Sequence, residues 1–184
     1  MSSHLVVMCT CPLANLYLSF LLFNSAYELM SQKEQRKCHM KYGMAICLYT
    51  LENCPENNEL FFTAVTQINH GDISVINDPS QRRMLAKLNL KAGKLSIVLS
   101  DYASALSLFE HGISYLGDDK WESEYDISLD LFDSAAEAAC VLNKNAAVTS
   151  YTEELVANAK SFDDSLNCEY SCCRCCAVPF MMKY

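Results

Sequence analysis

An all-α domain of antiparallel helical hairpins is the fold that the sequence predicts. Apolar residues recur at the three- and four-residue spacing of one helical face through segment after segment beyond Ser31. No segment shows the sustained apolar–polar alternation of a half-buried strand. Capping residues and Gly- or Asn-containing turns interrupt the pattern at short intervals, and short loops make neighbouring helices antiparallel.

The elements follow in order. Ser31-Gln-Lys-Glu34 has the capping-box pattern, in which the Ser side chain accepts a backbone N–H while Glu34 reaches back. Met40, Met44, Cys47, Leu48 and Leu51 form the stripe of the first helix, which Asn53-Cys-Pro55 stops. A second helix is expected over 56–69, buried through Leu60, Phe61, Ala64, Val65 and Ile68 and ended by Asn69-His-Gly71. Residues 72–77 read as a short extended turn. Asp78-Pro79 is a strong helix start, since Asp supplies an acceptor and Pro at the first position has no N–H to waste. Leu85, Leu88, Ala92, Leu95 and Leu99 mark its face. Ser100-Asp101 restarts a helix along Tyr102, Ala105, Phe109, Ile113 and Leu116, closed by Gly117-Asp-Asp119. Asp119-Lys-Trp-Glu122 repeats the capping-box pattern for a helix lined by Leu129, Phe132, Ala136, Ala139 and Leu142. After the turn Asn143-Lys-Asn145, a last helix is lined by Val148, Tyr151, Leu155, Ala159 and Phe162.

The 184 residues are 51% hydrophobic and 20% charged. A chain of this size hides roughly 70% of its extended surface on folding, so neither disulfides nor a metal is needed to hold it. A net charge of −8 argues against a nucleic-acid-binding surface, which needs clustered positive charge. The charge is unevenly placed. Residues 1–25 carry none, residues 26–100 hold nine basic and seven acidic side chains, and residues 101–167 hold three basic and fourteen acidic. The acidic half is a solvated outer face or a docking surface for a basic partner.

Eleven cysteines, an odd number without regular spacing, make a poor disulfide framework. Cys38, Cys47, Cys54 and Cys140 read as small hydrophobes in a cytoplasmic protein. Cys168-Glu-Tyr-Ser-Cys172-Cys-Arg-Cys-Cys176 holds two interleaved Cys-x-x-Cys pairs. Four thiols within five residues strain tetrahedral zinc geometry, so the readings are a tail without function, thiol–metal binding or acylation. The apolar run Pro12–Phe23 is too short for a membrane span, which needs roughly 20 residues. A buried helix is preferred there to a signal-peptide core or an incorrectly assigned gene end. His4, His39, His70 and His111 have no ligand or nucleophile partner at useful spacing. Asp118/Asp119 and Asp163/Asp164 read as helix caps. No catalytic, cofactor-binding or metal-binding set emerges, and the chain reads as non-enzymatic.

One stretch, 90–119, matches a helical-repeat unit of the tetratricopeptide type. Gly93 lets the partner helix approach, Ser100-Asp101-Tyr102 turns the chain, Ala105 packs closely, Phe109 fills the groove, and Gly112 is a second small contact. A poorer copy passes through Ala136, Ala139, Lys144-Asn145-Ala146 and Thr149, about 44 residues on, against about 34 in the standard repeat. Trp121 is expected to anchor its loop in the core.

Ile76-Asn-Asp-Pro-Ser-Gln-Arg-Arg-Met-Leu-Ala-Lys-Leu-Asn-Leu-Lys-Ala-Gly-Lys94, Ser100-Asp-Tyr-Ala-Ser-Ala105, Trp121-Glu-Ser-Glu-Tyr-Asp-Ile-Ser-Leu129 and Ala135-Ala-Glu-Ala-Ala139 together resemble a segment of very large multidomain signalling proteins. In that family a serine/threonine kinase domain is followed by a predicted AAA-type ATPase, then a long TPR-like helical region, often with GAF and histidine-kinase domains beyond. The resemblance covers roughly 24–166, with Ala26-Tyr-Glu-Leu-Met30 like the tail of the ATPase-adjacent region. It implies a TPR-like helical segment following the ATPase module. No phosphate-binding or kinase Gly-rich loop is present, so no ATP or phosphotransfer residue carries over. The family's turn glycine is Lys144 here, a change expected to loosen the second unit.

The division expected is an apolar N-terminal segment 1–23, a helical domain 24–166 and a Cys-rich tail 167–184. The leading expectation is protein–protein interaction or coupling to adjacent domains of a parent signalling protein, this chain being a fragment or truncated relative. The competing readings are part of an enzyme whose catalytic domains lie elsewhere and a membrane-tethered helical adaptor.

Overall fold

The computed structural model describes residues 27–161 apart from Asp72 and the side chain of Val75. Seven α-helices lie among them: α1 (Gln32–Asn53), α2 (Asn58–Asn69), α3 (Pro79–Val98), α4 (Tyr102–Tyr115), α5 (Lys120–Ser123), α6 (Tyr125–Val141) and α7 (Asn145–Asn158). They pack as antiparallel hairpins α1·α2, α3·α4 and α6·α7, and no strand occurs among the described residues. The predicted fold class is therefore the observed one. The N-terminal apolar run, Phe162, Asp163/Asp164 and the Cys168–Cys176 cluster lie outside the described residues.

The capping box of α1 is formed: Glu34 N–H donates to Ser31 Oγ at 3.4 Å, and Ser31 N–H donates to a Glu34 carboxylate oxygen at 2.9 Å. Its buried side matches the expected stripe at Met40, Met44 and Cys47, which face the core, and departs from it at the two leucines. Gly43, Cys47 and Thr50 are buried, whereas Leu48 and Leu51 are 54% and 47% exposed. The cause is close approach at Gly43, where an added Cβ would stand 2.6 Å from Ile68 N. That contact turns the glycine face of α1, rather than its leucines, onto α2. Helix α2 starts two residues later than expected, because Asn57 Oδ1 accepts the Leu60 N–H at 3.0 Å. Residues Ile73–Val75 form a 3-10 turn in place of extended chain.

Asp78 caps α3 as expected, accepting from Ser80 N–H at 3.0 Å with Pro79 in the first turn. Leu99, placed on the buried face by spacing, is 68% exposed, because it is the last residue before the chain reverses at Ser100. The single helix expected after Asp119 is interrupted at Glu124, giving the one-turn α5 and then α6. The Asp119 capping box is absent. Its backbone lies at φ −83° and ψ 12°, not the extended conformation that aims a cap side chain at the following N–H groups.

The α3–α4 and α6–α7 turns have one design, repeated 43 residues on. Asp101 N–H donates to Ser96 O at 2.9 Å and Ser100 N–H to Ile97 O at 2.8 Å; Lys144 N–H donates to Ala139 O and Asn143 N–H to Cys140 O, both at 2.9 Å. These are paired Schellman closures. Ser100 and Asn143 hold the left-handed position at φ 61° and 56°. Lys144 is at φ −88°, outside the left-handed region, so its place in the turn does not call for a glycine.

One core joins all three hairpins, from Cys47, Ala64 and Ile68 through Leu85, Ala105, Leu106 and Phe109 to Leu131, Ala135 and Ala139. Hairpins two and three meet mainly through α4 on α6, where Gly112 seats against Leu131. Two ion pairs reinforce this junction from the basic α3: Arg83 with Glu124, and Lys94 with Asp130 at 3.1 Å. Both are exposed enough to be worth under ~1 kcal/mol each. Part of the charge asymmetry is thus consumed inside the domain.

Candidate interaction groove

The eight repeat positions are packing positions. Gly93 lies beneath the Phe109 ring, and Ala105, Phe109, Gly112, Ala136 and Ala139 are buried. Tyr102 is half-buried against the main core. Trp121 packs on the Phe132 ring at 5.2 Å between centroids and donates from Nε1 to a Glu154 carboxylate oxygen at 2.8 Å, so it anchors its loop as expected. None of the eight lines the hollows between α2 and α4 or the one edged by Arg83, Glu124 and Asp130.

A concave surface lies between α2 and α4. A groove of about 470 Å³ is bounded by Phe62 and Thr66 of α2, Ser104, Ser107, Leu108 and His111 of α4, and Leu99 and Asp101 of the Schellman turn. It opens past Phe62, Thr66 and Leu99 into a second hollow edged by Asn58, Glu59, Thr63 and Gln67. The two helices are held apart because hairpins one and two meet chiefly through α3, which carries Ala92 against Phe61 and Val65. His111 Nδ1 donates to Ser107 O at 2.7 Å, which leaves Nε2 of the neutral ring as an acceptor. Hydroxyls, imidazole and apolar side chains alternate along this groove. That chemistry suits a segment of mixed polarity more than a small anionic substrate.

Beneath the groove runs a polar node that spacing alone did not single out. Asn89 is fully buried and exchanges side-chain amide bonds with Asn69: Asn69 Nδ2 to Asn89 Oδ1 at 2.7 Å, and Asn89 Nδ2 to Asn69 Oδ1 at 3.1 Å. Asn89 also donates to Leu85 O at 3.0 Å, and the Tyr115 hydroxyl reaches Ile68 O and Asn69 Oδ1 at 3.3 Å. Burial pushes the Tyr115 pKa up to about 12. The available signal was a lone Asn four residues after Leu85, inside an apolar stripe.

The histidines separated in sequence are partly brought together. His39 and His70 rings lie 5.5 Å apart, and His39 meets the Tyr27 hydroxyl through Nε2 and Gln67 Oε1 through Nδ1, both at 2.7 Å. No third ligand joins them: no group of three or more His, Cys, Asp or Glu able to hold a metal occurs among the described residues. Cys38, Cys47 and Cys54 are free thiols, and burial raises the Cys47 pKa. Cys140 is buried and disulfide-bonded, which corrects its reading as a solitary apolar cysteine. Among the described residues no helix is long and apolar enough to cross a membrane. No family model, curated protein or solved structure matches the chain. What stands is an all-helical domain whose described residues form seven helices packed as hairpins.

Proposed function

We infer that this chain is a non-catalytic interaction module that couples a partner protein, or the adjacent domains of a kinase/ATPase signalling protein, through the groove between α2 and α4. The observation that carries the reading is that groove. Stacked hairpins hold two second-position helices apart and leave an apolar and hydroxyl-lined channel, the geometry helical-repeat proteins use to seat a peptide segment. The resemblance of residues 76–94 and 100–105 to the helical region that follows an ATPase module supports the signalling context. The lack of a phosphate-binding loop supports a role without catalysis of its own.

The test is site-directed photo-cross-linking in cells. A benzophenone side chain placed at Thr66, in the groove, is expected to yield a discrete protein adduct. The same probe at Glu153, exposed on α7, is expected to yield none. Leu108→Glu, at a half-buried groove position, should abolish the Thr66 adduct while the helical circular dichroism is unchanged. Equal adducts from both positions, or an adduct indifferent to Leu108→Glu, contradict the reading.

A further inference from the structure

Two polar groups lining the α2–α4 groove carry hydrogens that the fold does not use. Ser96, on α3, is 3% exposed and lines the groove. Its backbone carbonyl accepts the Asp101 N–H at 2.9 Å in the Schellman turn, but its hydroxyl makes no hydrogen bond among the described residues. Thr50 and Ser128, as deeply buried, each donate to a main-chain carbonyl, at 2.7 and 3.1 Å. A hydroxyl this nearly buried costs free energy when unpaired, and in the wall of a groove that points to a group arriving from outside.

The second group is the Asn69 amide. Asn89 Nδ2 gives its two hydrogens to Leu85 O at 3.0 Å and to Asn69 Oδ1 at 3.1 Å. The Asn89 oxygen is therefore the acceptor for Asn69 Nδ2, at 2.7 Å. That takes one of the two Asn69 amide hydrogens, and the other has no partner among the described residues. The Tyr115 hydroxyl holds the Asn69 oxygen at 3.3 Å, so the amide cannot flip, and Asn69 lines the groove. Its spare N–H is a donor of fixed orientation.

Asn89 and Ser96 stand seven residues apart on one side of α3, roughly 10 Å along its axis. The amide node and the hydroxyl are thus separated by about three residues of extended chain. Glu59 and Asp101 are carboxylates, and no Lys or Arg lines either hollow among the described residues. An incoming carboxylate or phosphate is therefore disfavoured, whereas a neutral carbonyl is not. Resting on the interaction role inferred for this groove, we propose that the Ser96 hydroxyl and the spare Asn69 N–H donate to main-chain carbonyls of an extended peptide segment, whose apolar side chains lie on Phe62, Leu99 and Leu108. The two donors set the register of the segment, and the groove takes its interior rather than a C-terminal carboxylate.

The probe is a fluorescein-labelled dodecapeptide selected from a displayed random library on the full chain and rejected by Leu108→Glu, with affinity read by fluorescence anisotropy. Ser96→Ala is expected to weaken it by ~5-fold or more, the worth of one hydrogen bond. The thermal midpoint should stay or rise, since the hydroxyl supports nothing in the fold. Peptide amides are then replaced by esters one at a time, an ester carbonyl being the weaker acceptor. One replacement should cost affinity in the unsubstituted chain and not in Ser96→Ala, and a second should lose its cost in Asn69→Ala. Affinity indifferent to Ser96→Ala overturns the proposal and leaves the groove reading standing. Lost affinity with a lowered thermal midpoint overturns it as a structural effect. Absence of either ester coupling overturns it as well, and assigns the donor to a peptide side chain. If no peptide distinguishes the unsubstituted chain from Leu108→Glu, the groove reading and this proposal fail together.

Discussion

The Phe109 ring rests directly on the Cα of Gly93. A Cβ built at Gly93 would collide with Phe109 Cε1 and stand 2.7 Å from Cδ1 and Cζ. Phe109 is fully buried, so its ring has nowhere to retreat. This contact sets how closely α3 and α4 approach, and so the spacing of the second hairpin. Replacing Gly93 by Ala adds about 1 kcal/mol of helix propensity. Overpacking a closed core costs about 1–3 kcal/mol, and at this separation it wins. Gly93→Ala is expected to lower stability by up to about 2 kcal/mol, and Phe109→Leu in the same chain to recover part of the loss. Urea denaturation of the two single variants and the double variant measures this. Equal or higher stability of Gly93→Ala contradicts the contact.

The two Schellman turns make a comparative prediction. Ser100 and Asn143 both sit at positive φ, where a Cβ is costly and Asn is better tolerated than Ser. Ser100→Gly is expected to raise stability by about 1 kcal/mol, and Asn143→Gly by less. Thermal melts of both variants decide the order. A larger gain at Asn143, or a loss at Ser100, would break the equivalence of the turns.

The Asn69–Asn89 pair joins the end of α2 to the middle of α3. Asn89→Leu leaves the Asn69 amide without its buried partner, at a cost of about 1–3 kcal/mol. A double-mutant cycle with Asn69→Ala should show clear non-additivity, since each residue satisfies the other. Additive losses would mean that the pair is incidental.

Alkaline pH should weaken the fold in a defined window. Burial pushes Tyr115 up to about 12, and burial together with the Glu110 carboxylate, which accepts the Tyr151 hydroxyl at 2.9 Å, does the same for Tyr151. Both favour the neutral phenol in the folded state. Their contribution is complete below the unfolded tyrosine value near ~10 and is lost as pH rises from there through about 12. The chain carrying Tyr115→Phe and Tyr151→Phe should lose less stability between those values than the unsubstituted chain. Parallel pH-dependence of the two would contradict the assignment.

Much of this architecture was legible in the residues, because helix starts are local chemistry. Ser31 and Glu34, or Asp78 and Pro79, announce themselves within four positions. Gly93 opposite Phe109 was legible too, since a small residue facing a large one is the signature of a close crossing. Leu48 and Leu51 were misplaced because burial on a helix depends on which neighbour approaches, here α2 at Gly43, and Leu99 because the helix ends there and the chain reverses at Ser100. Asp119 kept the capping letters without the extended backbone that makes them work. The groove was not legible. Phe62, Leu108 and His111 are far apart in the chain, and only the stacking of two hairpins through α3 sets them around one space. The turns, by contrast, were nearly found: the copy expected about 44 residues on lies at 43, marked by Asn143 rather than by a glycine.

The central claim is that this domain works through the α2–α4 groove. Hydrogen exchange of the chain with and without the protein captured at Thr66 tests it most directly. The account predicts added protection confined to α2, α4 and the Leu99–Asp101 turn, absent in Leu108→Glu. Protection centred on the acidic helices α5–α7, or none at all, would contradict it.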